Sequence, residues 1–503
     1  MFDSDFEKGR YHPLILPEYN VPLTIDGLRE IFSSCSDFEV REIAFGLEKN
    51  VRLNVCWLDG IVSGGEVSSS VLRPLTQSAR AGSARDEAQA LAAVLCGAVY
   101  SCSVKQCTAM DETVSALTHG HCAVIFDALQ TALCFEVRSE NTRAISEPTL
   151  EKALKGAKDS FVETLRTNTA LVRRRICTPK LKLIESTVGR KSGTRVAVMF
   201  IDGVAAPETV KELAARLDAL DIDALLGVGI LEEGIVDAPS SPFPQLIHTE
   251  RPDRFSMYLM DGRVGLLVDG IPVGLVLPVT FAELMKVTGD ANLHYLVSSV
   301  TAAVRYFSLA LSALLPAFYV AIAKYHQEMI PSRLLLSIIE AKQDVPFSTA
   351  LEVIGMLVAF TLLQEAGLRL PNPIGDTVSI IGALIVGQSA VEARVTSPIA
   401  IIVVALSGIA GYTLPSQDMG SAVRLVRFVL VLAAIAAGLF GVAAASCLIV
   451  FWLARMDSFG MSYTAPLSEA SPGSLSRLLL RKPKTQDKYR DPLLKTPDRR
   501  RQK

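Results

Sequence analysis

The sequence predicts a duplicated α/β region at the N-terminus, followed by an α-helical multi-pass membrane domain. Two observations support this: apolar residues are unevenly distributed over the 503 residues, and the polar part contains an internal repeat. The mean hydropathy of +0.34 at 20% charged residues is high for a soluble protein and low for a chain that lies in the membrane throughout. The average therefore combines two unlike regions.

Long apolar runs are confined to residues 296–455. A bilayer core about 30 Å thick needs about 20 apolar helical residues, so four runs are predicted to cross it. We expect a fifth run, 347–366, at the interface or as a re-entrant segment, because polar residues lie near its ends. In the alternative, six segments cross, with 347–366 among them and the last run bent into a tight hairpin. The four runs are 304–323, 376–393, 396–414 and 428–453.

Charge predicts the orientation. The tail from 471 to 503 carries 11 Lys and Arg against three Asp, a net charge of +8, so the rest of the chain sums to −10. Basic residues beside a last span favour the cytoplasmic side. The N-terminus shows no signal-peptide pattern, so we expect both termini in the cytosol and an even number of spans. The nearly balanced total of −2 does not indicate a nucleic-acid partner.

Two stretches of the polar region recur in order. Residues 55–62 read VCWLDGIV and residues 198–205 read VMFIDGVA, a spacing of 143. The second echo begins at Gly120 and Gly262, a spacing of 142, and each copy is predicted to form a hairpin whose turn starts at Asp127 or Asp269. Two ordered echoes at nearly one offset predict two related α/β subdomains.

The predicted domains follow from these patterns. Between the subdomains, apolar spacing predicts a helical connector that carries the basic run at 173–175. A solvated or salt-bridged face is favoured for this run over binding of anionic lipid or RNA. The predicted units are an N-terminal extension (1–29), α/β subdomain 1 (30–149), the connector (150–179), α/β subdomain 2 (180–290), the transmembrane domain (296–455) and a basic tail (456–503).

No catalytic signature stands out, so we expect neither an enzyme nor a cofactor. The chain lacks G-x-S-x-G, H-E-x-x-H and a Walker P-loop. The glycine-rich stretch 189–193 is interpreted as a loop. His119 and His121 are metal-ligand types, but they lie at the start of a predicted strand and we expect no metal. The nine cysteines show no framework spacing and are expected to be reduced and mostly buried.

Polar and glycine residues of the span at 377–393 are the candidate pore residues. Gln388 and Glu392 lie four residues apart and share a helix face. Ionisable groups at membrane depth are costly and often mark an ion or substrate path. The alternative is that Glu392 lies at the interface. The candidate pore or polar membrane residues are Ser379, Gly382, Val386, Gln388 and Glu392.

Small residues in the last span predict helix packing. Ala433, Ala437, Gly441 and Ala445 repeat every four residues, and small side chains let helices approach closely in lipid. Lipid-facing alanine is the alternative. Arg305, at the start of the first span, is expected to snorkel or to pair with Glu352.

Several ordered motifs together resemble the spore germination receptor A subunits of endospore-forming bacteria. The likeness is close over 150–465 and looser over 30–150. The motifs are FVETLRTNTALVRRR (161–175), SPFPQ (241–245), DGRVGLLVDG (261–270), LPAFYV (315–320), EMIP (328–331), EAGLRLPNPIG (365–375), VSIIGALIVGQ (378–388), SP (397–398) and SFG (458–460).

This resemblance implies a subunit of the inner spore membrane with a two-lobed cytosolic N-terminal domain. It implies two partners, a permease-like B subunit and a lipoprotein C subunit. It also implies a homo-oligomer that forms a nutrient-gated ion channel and releases monovalent cations, with the germinant bound by the permease. A sporulation-stage paralogue of the family amplifies germination, and a membrane scaffold that conducts nothing is the alternative function.

The chain departs from the family pattern at three positions. Leu357 and Thr361 stand where acidic residues are common, so the segment 347–366 is more apolar here. Arg394 stands where a small residue is usual, beside Glu392. A charged rim formed by Glu392 and Arg394 would alter ion preference.

Overall fold

Each of the two sequence repeats folds into a five-stranded antiparallel sheet. In the computed structural model, the first sheet has the strand order β1-β2-β4-β5-β3 and the second the order β6-β7-β9-β10-β8. These are the same order, so the duplicated α/β fold that the sequence predicts is confirmed. The strands are β1 (Phe38–Phe45), β2 (Val51–Leu58), β3 (Val104–Cys107), β4 (His121–Phe126), β5 (Thr131–Glu136), β6 (Leu181–Val188), β7 (Thr194–Ile201), β8 (Ile247–Thr249), β9 (Val264–Val268) and β10 (Gly274–Leu277).

The described residues form two compact units. Unit 1 lies within 1–235, 246–278 and 488–503, and unit 2 lies within 236–245 and 279–487. The structure describes residues 19, 21–45, 51–77, 84–99, 103–137, 148, 151, 156–369, 387–468 and 478–502.

The offset found in the sequence holds for every strand. Each strand of the first sheet begins 143 residues before its counterpart, from β1 and β6 at Phe38 and Leu181 to β5 and β10 at Thr131 and Gly274. The β4–β5 and β9–β10 pairs are the two hairpins predicted around Asp127 and Asp269. We call the two copies repeat 1 and repeat 2.

Helices cover the sheets of both repeats. In repeat 1, Val55 and Trp57 point into one apolar core while Cys56 and Leu58 point into another, because side chains alternate along β2. The helices of unit 1 are α1 (Ile25–Ile31), α2 (Gly64–Val67) and α3 (Arg73–Gln77) joined by a π-helical turn, α4 (Glu87–Ala93), α5 (Met110–Thr118), α6 (Leu165–Arg173), α7 (Pro207–Ala219), α8 (Val228–Ile235) and α9 (Pro252–Asp261).

The turn aspartates place the first helix of each repeat. The Asp127 carboxylate accepts a hydrogen bond from the Ile25 N–H at 2.7 Å, and that of Asp269 accepts one from the Leu165 N–H at 3.0 Å. Ile25 and Leu165 are the first residues of α1 and α6. A carboxylate at a helix N-terminus satisfies a free N–H and complements the helix dipole. Helix α6, within the predicted connector, therefore opens repeat 2 as α1 opens repeat 1.

A buried ion pair joins the two repeats. Arg173 donates two 2.7 Å hydrogen bonds to the two carboxylate oxygens of Asp37, and both side chains are at most 2% exposed. Burial alone would lower the pKa of the Arg173 guanidinium, but the charge of Asp37 outweighs it and raises that pKa. Arg175 pairs with Asp159. Two of the three residues of the basic run are thus salt-bridged.

Unit 2 contains the long apolar helices. Three helices of the described residues are long and apolar enough to cross a membrane: Tyr295–Tyr325, Thr349–Ala366 and Gln417–Arg455. The described elements are α10 (Phe281–Leu284), α11 (Tyr295–Tyr325), α12 (Ser332–Lys342), α13 (Thr349–Arg369), α14 (387–392), α15 (Pro398–Tyr412), α16 (Gln417–Arg455) and the short strands β11 (Asp457–Ser458) and β12 (Met461–Ser462).

Four of these helices share an apolar core. Val320 of α11, Val353 and Leu357 of α13, Val404 of α15 and Leu430 of α16 are all buried in it. Leu357 is 1% exposed, which explains why an apolar residue suits this position. The α13 segment had been expected at the interface, but its helix is long and apolar enough to cross. The helical membrane part of the predicted fold is thus present.

Helix α16 is broken near its middle. Ala437 and Gly438 depart from helical geometry, and Gly438 has φ +59°, a conformation that favours glycine. A Cβ at Gly441 would collide with the carbonyl oxygen of Ala433, eight residues earlier. Eight residues span about 12 Å in a straight helix, so the chain turns back sharply here. The six-segment alternative required a bend in this run, and the bend lies at Ala437 and Gly438.

Candidate functional site

The polar side chains of unit 2 form the candidate functional site. Of the predicted pore residues, Ser379, Gly382 and Val386 lie outside the described residues. Gln388 and Glu392 lie on α14, where the Gln388 Nε2 donates a 3.0 Å hydrogen bond to the Glu392 carboxylate. The shared helix face is therefore observed, and both side chains are exposed.

Arg394, which was expected to form a charged rim with Glu392, has a different partner. Arg394, with φ +56°, directs its guanidinium to the carboxylate of Asp344 at 3.0 Å, and both side chains are exposed. Asp344 lies between α12 and α13. Arg394 thus balances a loop charge, while the Glu392 carboxylate accepts from the Gln388 amide.

The predicted packing residues do not lie on one continuous helix face. Ala433 precedes the break in α16, Ala437 is part of it, and Gly441 and Ala445 follow it. The Gly441 backbone lies against the Ala433 carbonyl and the Ala437 methyl group. Three of the four therefore meet within the chain, where their small size permits the sharp turn. Their part in packing against other helices stays a prediction.

Arg305 pairs with a residue other than the one expected. Its guanidinium bonds to both carboxylate oxygens of Asp290, at 2.5 and 3.2 Å, so the expected pairing with Glu352 is wrong. Arg481 donates to the carbonyl oxygens of Asp290 and Ala291, and its backbone N–H donates to Ser299 at 2.9 Å. The chain beyond the last helix thus returns to the start of α11.

Glu352 lies in a buried polar cluster that sequence patterns did not reveal. One carboxylate oxygen accepts hydrogen bonds from the Ser397 N–H and hydroxyl at 3.0 and 2.9 Å, and the other lies 3.3 Å from the Lys342 ammonium. Glu352 is one of the polar residues near the ends of 347–366 that favoured an interfacial position over a membrane crossing for this run. Because the cluster joins the starts of α13 and α15, the carboxylate is matched inside unit 2 instead of facing lipid.

A second buried charge joins three helices. The Arg427 guanidinium of α16 donates to the Ser312 carbonyl of α11 at 2.8 Å and to the Ser407 carbonyl of α15 at 3.2 Å. It is 6% exposed and also donates to the Ser312 hydroxyl at 2.5 Å, so carbonyl and hydroxyl oxygens of the described residues surround it. In the sequence, the only indication of this buried charge was the pair Arg424 and Arg427, which lies just before the last apolar run. Ionisable side chains at membrane depth are costly, which makes both clusters candidates for function.

Two motifs far apart in sequence meet in unit 2. The loop 236–245 contacts the hairpin of β11 and β12: Asp237 accepts from the Phe459 N–H at 2.7 Å, and the Tyr463 hydroxyl donates to the Pro244 carbonyl at 2.9 Å. The Phe243 and Trp452 rings lie edge to face at 6.2 Å. We call these two segments the junction. It contains the SPFPQ and SFG motifs that carried part of the resemblance.

Burial isolates the junction tyrosine. Tyr463 is 0% exposed, and burial raises the pKa of its hydroxyl well above the ordinary value. The hydroxyl therefore remains a donor to Pro244 into the alkaline range. Phe281 packs against the Tyr463 ring, and the Val279 N–H donates to the Ser458 hydroxyl at 3.2 Å. The first and last parts of unit 2 are joined here.

The remaining motifs in unit 1 have structural partners. Arg190 and Lys191 pair with Asp221 and Asp223, so the glycine-rich loop is neutralised by acidic side chains. The Nδ1 atoms of His119 and His121 lie 2.7 and 3.1 Å from carbonyl oxygens of α5. The cysteine side chains of the described residues are buried at 35, 56, 107, 122 and 134, half-buried at 177 and exposed at 96 and 447.

Two topologically equivalent α/β repeats, followed by helices that are long enough to cross a bilayer, define a membrane protein with a duplicated N-terminal domain. The chain belongs to the GerA family: a family profile described as "Bacillus/Clostridium GerA spore germination protein" matches residues 26–493. The resemblance stated from sequence motifs is confirmed, and the chain is a membrane protein of the germinant receptor A-subunit family.

Relatives match over most of their length. The chain is 34% identical to "Uncharacterized membrane protein YfkQ" of Bacillus subtilis (strain 168), covering 92% of this chain and 89% of that protein. It is 33% identical to "Spore germination protein KA", covering 94% of this chain and 86% of that protein. It is 37% identical to "Spore germination protein A1", covering 71% of this chain and 74% of that protein, and both relatives are from the same strain. It is also similar to the crystal structure of the N-terminal domain of the A subunit of the Bacillus megaterium spore germinant receptor GerK3, with 28% identity, a TM-score of 0.39 and coverage of 50% and 92%.

Proposed function

We propose that the chain is the membrane subunit of a germinant receptor and that copies of it assemble into a nutrient-gated channel that releases cations. The observation that carries the proposal is the family match over residues 26–493, which spans both units. Relatives with similar coverage are named spore germination proteins. In this proposal the chain is no enzyme and needs no cofactor.

The proposed partners are a permease-like B subunit, which binds the nutrient, and a lipoprotein C subunit. The proposed location is the inner spore membrane, with both termini in the cytosol. The net charge of +8 on the tail supports that orientation, since basic residues beside a last span favour the cytoplasmic face. In this proposal membrane lipid contacts the helices, and nucleic acid is no partner.

The proposed topology has six crossings. The two arms of α16, residues 417–436 and 439–455, are about 30 and 25 Å long at 1.5 Å per residue. The sharp turn between them supports two crossings where the sequence counted one. With α11, α13, α15 and the span at 376–393, the count is six, which keeps both termini on one side.

The proposed pore face is that of Gln388 and Glu392. These side chains are exposed in a single copy, whereas the Glu352 and Arg427 charges of the same unit are buried among its own helices. A carboxylate that faces lipid is costly, so an exposed one favours a water-filled cavity between copies. A negative carboxylate in such a cavity favours cations.

Reconstitution tests this function. The purified protein in liposomes, alone and with its partner subunits, is assayed for potassium efflux. We expect Gln388→Lys to reduce efflux several-fold, because the added positive charge repels cations. Gln486→Lys is the matched control, an exposed glutamine in the segment after the last helix. Efflux that is unaltered by Gln388→Lys would argue against this face as the pore lining.

A scaffold that conducts nothing is the second candidate. The junction and the two buried charge clusters favour it, since they show unit 2 built around fixed polar contacts. Absence of conductance with an intact receptor complex would support the scaffold. A nutrient-independent effect on germination would support the amplifying paralogue.

A further inference from the structure

The Asp-Gly turn of repeat 1 is covered by repeat 2. Arg166 of α6 bonds to the Asp59 carboxylate at 3.0 Å, and a Cβ at Gly60 would lie 3.0 Å from the Arg166 carbonyl oxygen. The equivalent turn of repeat 2 is Asp202-Gly203. No third repeat follows to cover it, because the chain enters unit 2 at residue 279.

The C-terminal tail contacts that turn through its backbone, although Asp202 and Gly203 stay exposed. The Asp498 N–H donates to the Gly203 carbonyl oxygen at 3.1 Å. Residues 488–503 belong to unit 1, although the chain reaches them only after all the helices of unit 2. We call residues 488–502 the docked tail.

Arg490 organises the docked tail. Its Nε donates to the Met260 carbonyl at 2.9 Å, which attaches the tail to α9, and its Nη1 donates to the carbonyls of Asp498 and Arg500 at 2.8 and 2.9 Å. A β-bridge pairs Tyr489 with Arg500. One arginine therefore closes the tail into a hairpin and fastens it to repeat 2.

Side-chain contacts complete the interface. The Thr496 methyl group lies where a Cβ at Gly262 would be, and Thr496 and Leu494 are 3% and 6% exposed. Arg501 pairs with Asp261, whose side chain is 27% exposed. A net positive segment thus meets an acidic residue at the end of α9, beside a glycine that leaves room for it.

The interface is small. It consists of a few hydrogen bonds to backbone carbonyls, one partly exposed ion pair and two buried side chains. Contacts of these kinds contribute little individually, and salt weakens the ion pair. A segment held in this way exchanges between docked and free states more readily than a core strand or helix.

We propose that the face of repeat 2 formed by the 202–203 turn and residues 260–262 is a docking surface for a short basic peptide. Its occupant is the chain's own tail, residues 488–502, held reversibly. The tail contacts repeat 2 at its Asp-Gly turn, as α6 does in repeat 1, but through a single backbone hydrogen bond at that turn. The tail follows the last helix in sequence and docks on repeat 2 within unit 1.

Hydrogen exchange of the full-length protein in detergent tests the proposal. We expect Arg490→Ala to raise exchange several-fold in peptides that cover 203–206, 258–264 and the tail. Arg499→Ala is the matched control: it removes the same charge from the same tail, but that side chain is exposed. We expect the control to leave exchange unaltered, and high salt to act like Arg490→Ala.

Two further arms separate docking from misfolding. A synthetic peptide of residues 488–503, added to the full-length Arg490→Ala protein, is expected to restore protection at 258–264, whereas a peptide with the same substitution is not. Asp261→Arg is expected to lose protection and to regain it when combined with Arg501→Asp.

Equal exchange in the Arg490→Ala and Arg499→Ala proteins would overturn the proposal, as would failure of the peptide. Cross-links between differently labelled copies would overturn the assignment to the chain's own tail.

Discussion

Repeat 1 and repeat 2 share strand order and register but differ in what is attached to them. In repeat 1, α6 covers the Asp59-Gly60 turn. In repeat 2, the docked tail donates one hydrogen bond to the Gly203 carbonyl while the Asp202-Gly203 turn stays exposed, and the loop 236–245 between α8 and β8 belongs to unit 2. The comparison teaches that the two repeats keep the same sheet and differ in the segments outside it, since only repeat 2 contains a loop, 236–245, that belongs to unit 2.

The largest effect is expected where the two repeats join. Arg173→Met leaves the buried Asp37 carboxylate without its partner, which costs about 3–5 kcal/mol. Unfolding is followed by Trp57 fluorescence after Trp452→Phe, since the chain has two tryptophans. A loss below about 1 kcal/mol would show that the repeats hold together without this pair.

The turn aspartates, Asp127 and Asp269, test whether the first helix of each repeat is stabilised in the same way. We expect Asp127→Ala and Asp269→Ala each to cost about 1–2 kcal/mol, because each removes the acceptor for the first N–H of a helix. Each carboxylate has a second partner, Asn54 at 3.0 Å for Asp127 and the half-exposed Arg195 at 3.5 Å for Asp269, so similar losses are expected. Hydrogen exchange at the first turns of α1 and α6 measures both. An effect in only one helix would contradict the equivalence.

The junction tests the loop 236–245, which lies between α8 and β8 in sequence and belongs to unit 2. Tyr463→Phe removes the hydrogen bond to the Pro244 carbonyl and is expected to cost about 1 kcal/mol. Trp452 fluorescence after Trp57→Phe reports it, because Trp452 packs against Phe243. Tyr489→Phe, at a tyrosine that is 69% exposed, is the control.

The junction also predicts a pH dependence. Because burial raises the pKa of Tyr463 above its ordinary value of 10.0, its contribution is present below about pH 10 and lost as the pH rises further. We expect Tyr463→Phe to abolish this alkaline loosening. The same loosening in the Tyr463→Phe protein would assign it to another group.

The smallest effect is expected at an exposed pair within repeat 1. Arg52→Met removes a 3.1 Å ion pair with Glu42 whose side chains are 81% and 54% exposed, so the loss is at most about 0.5 kcal/mol. The same Trp57 measurement applies, which makes this substitution the matched control for Arg173→Met. A loss as large as that of Arg173→Met would show that burial does not set the difference.

Much of the fold followed from local patterns. The hairpins at Asp127 and Asp269 were predicted and observed, since a turn residue and the apolar strands beside it act over a few positions. The face shared by Gln388 and Glu392 followed from helical spacing. The pairing of Arg305 with Asp290 was missed, because its partner lies outside the span that the pattern defined.

The sequence by itself determined the duplication, the division into polar and apolar regions and the charge of the tail, because each of these is a property of spacing or composition. Tertiary structure alone decided which partner each charged side chain meets. Asp37 meets Arg173, Glu352 meets Lys342 and the Ser397 hydroxyl, and Arg490 meets the Met260 carbonyl. Asp37 and Arg173 are 136 residues apart, and Arg490 and Met260 are 230 apart. A buried charge is stable only beside a matched group, and that match exists only once the chain has folded.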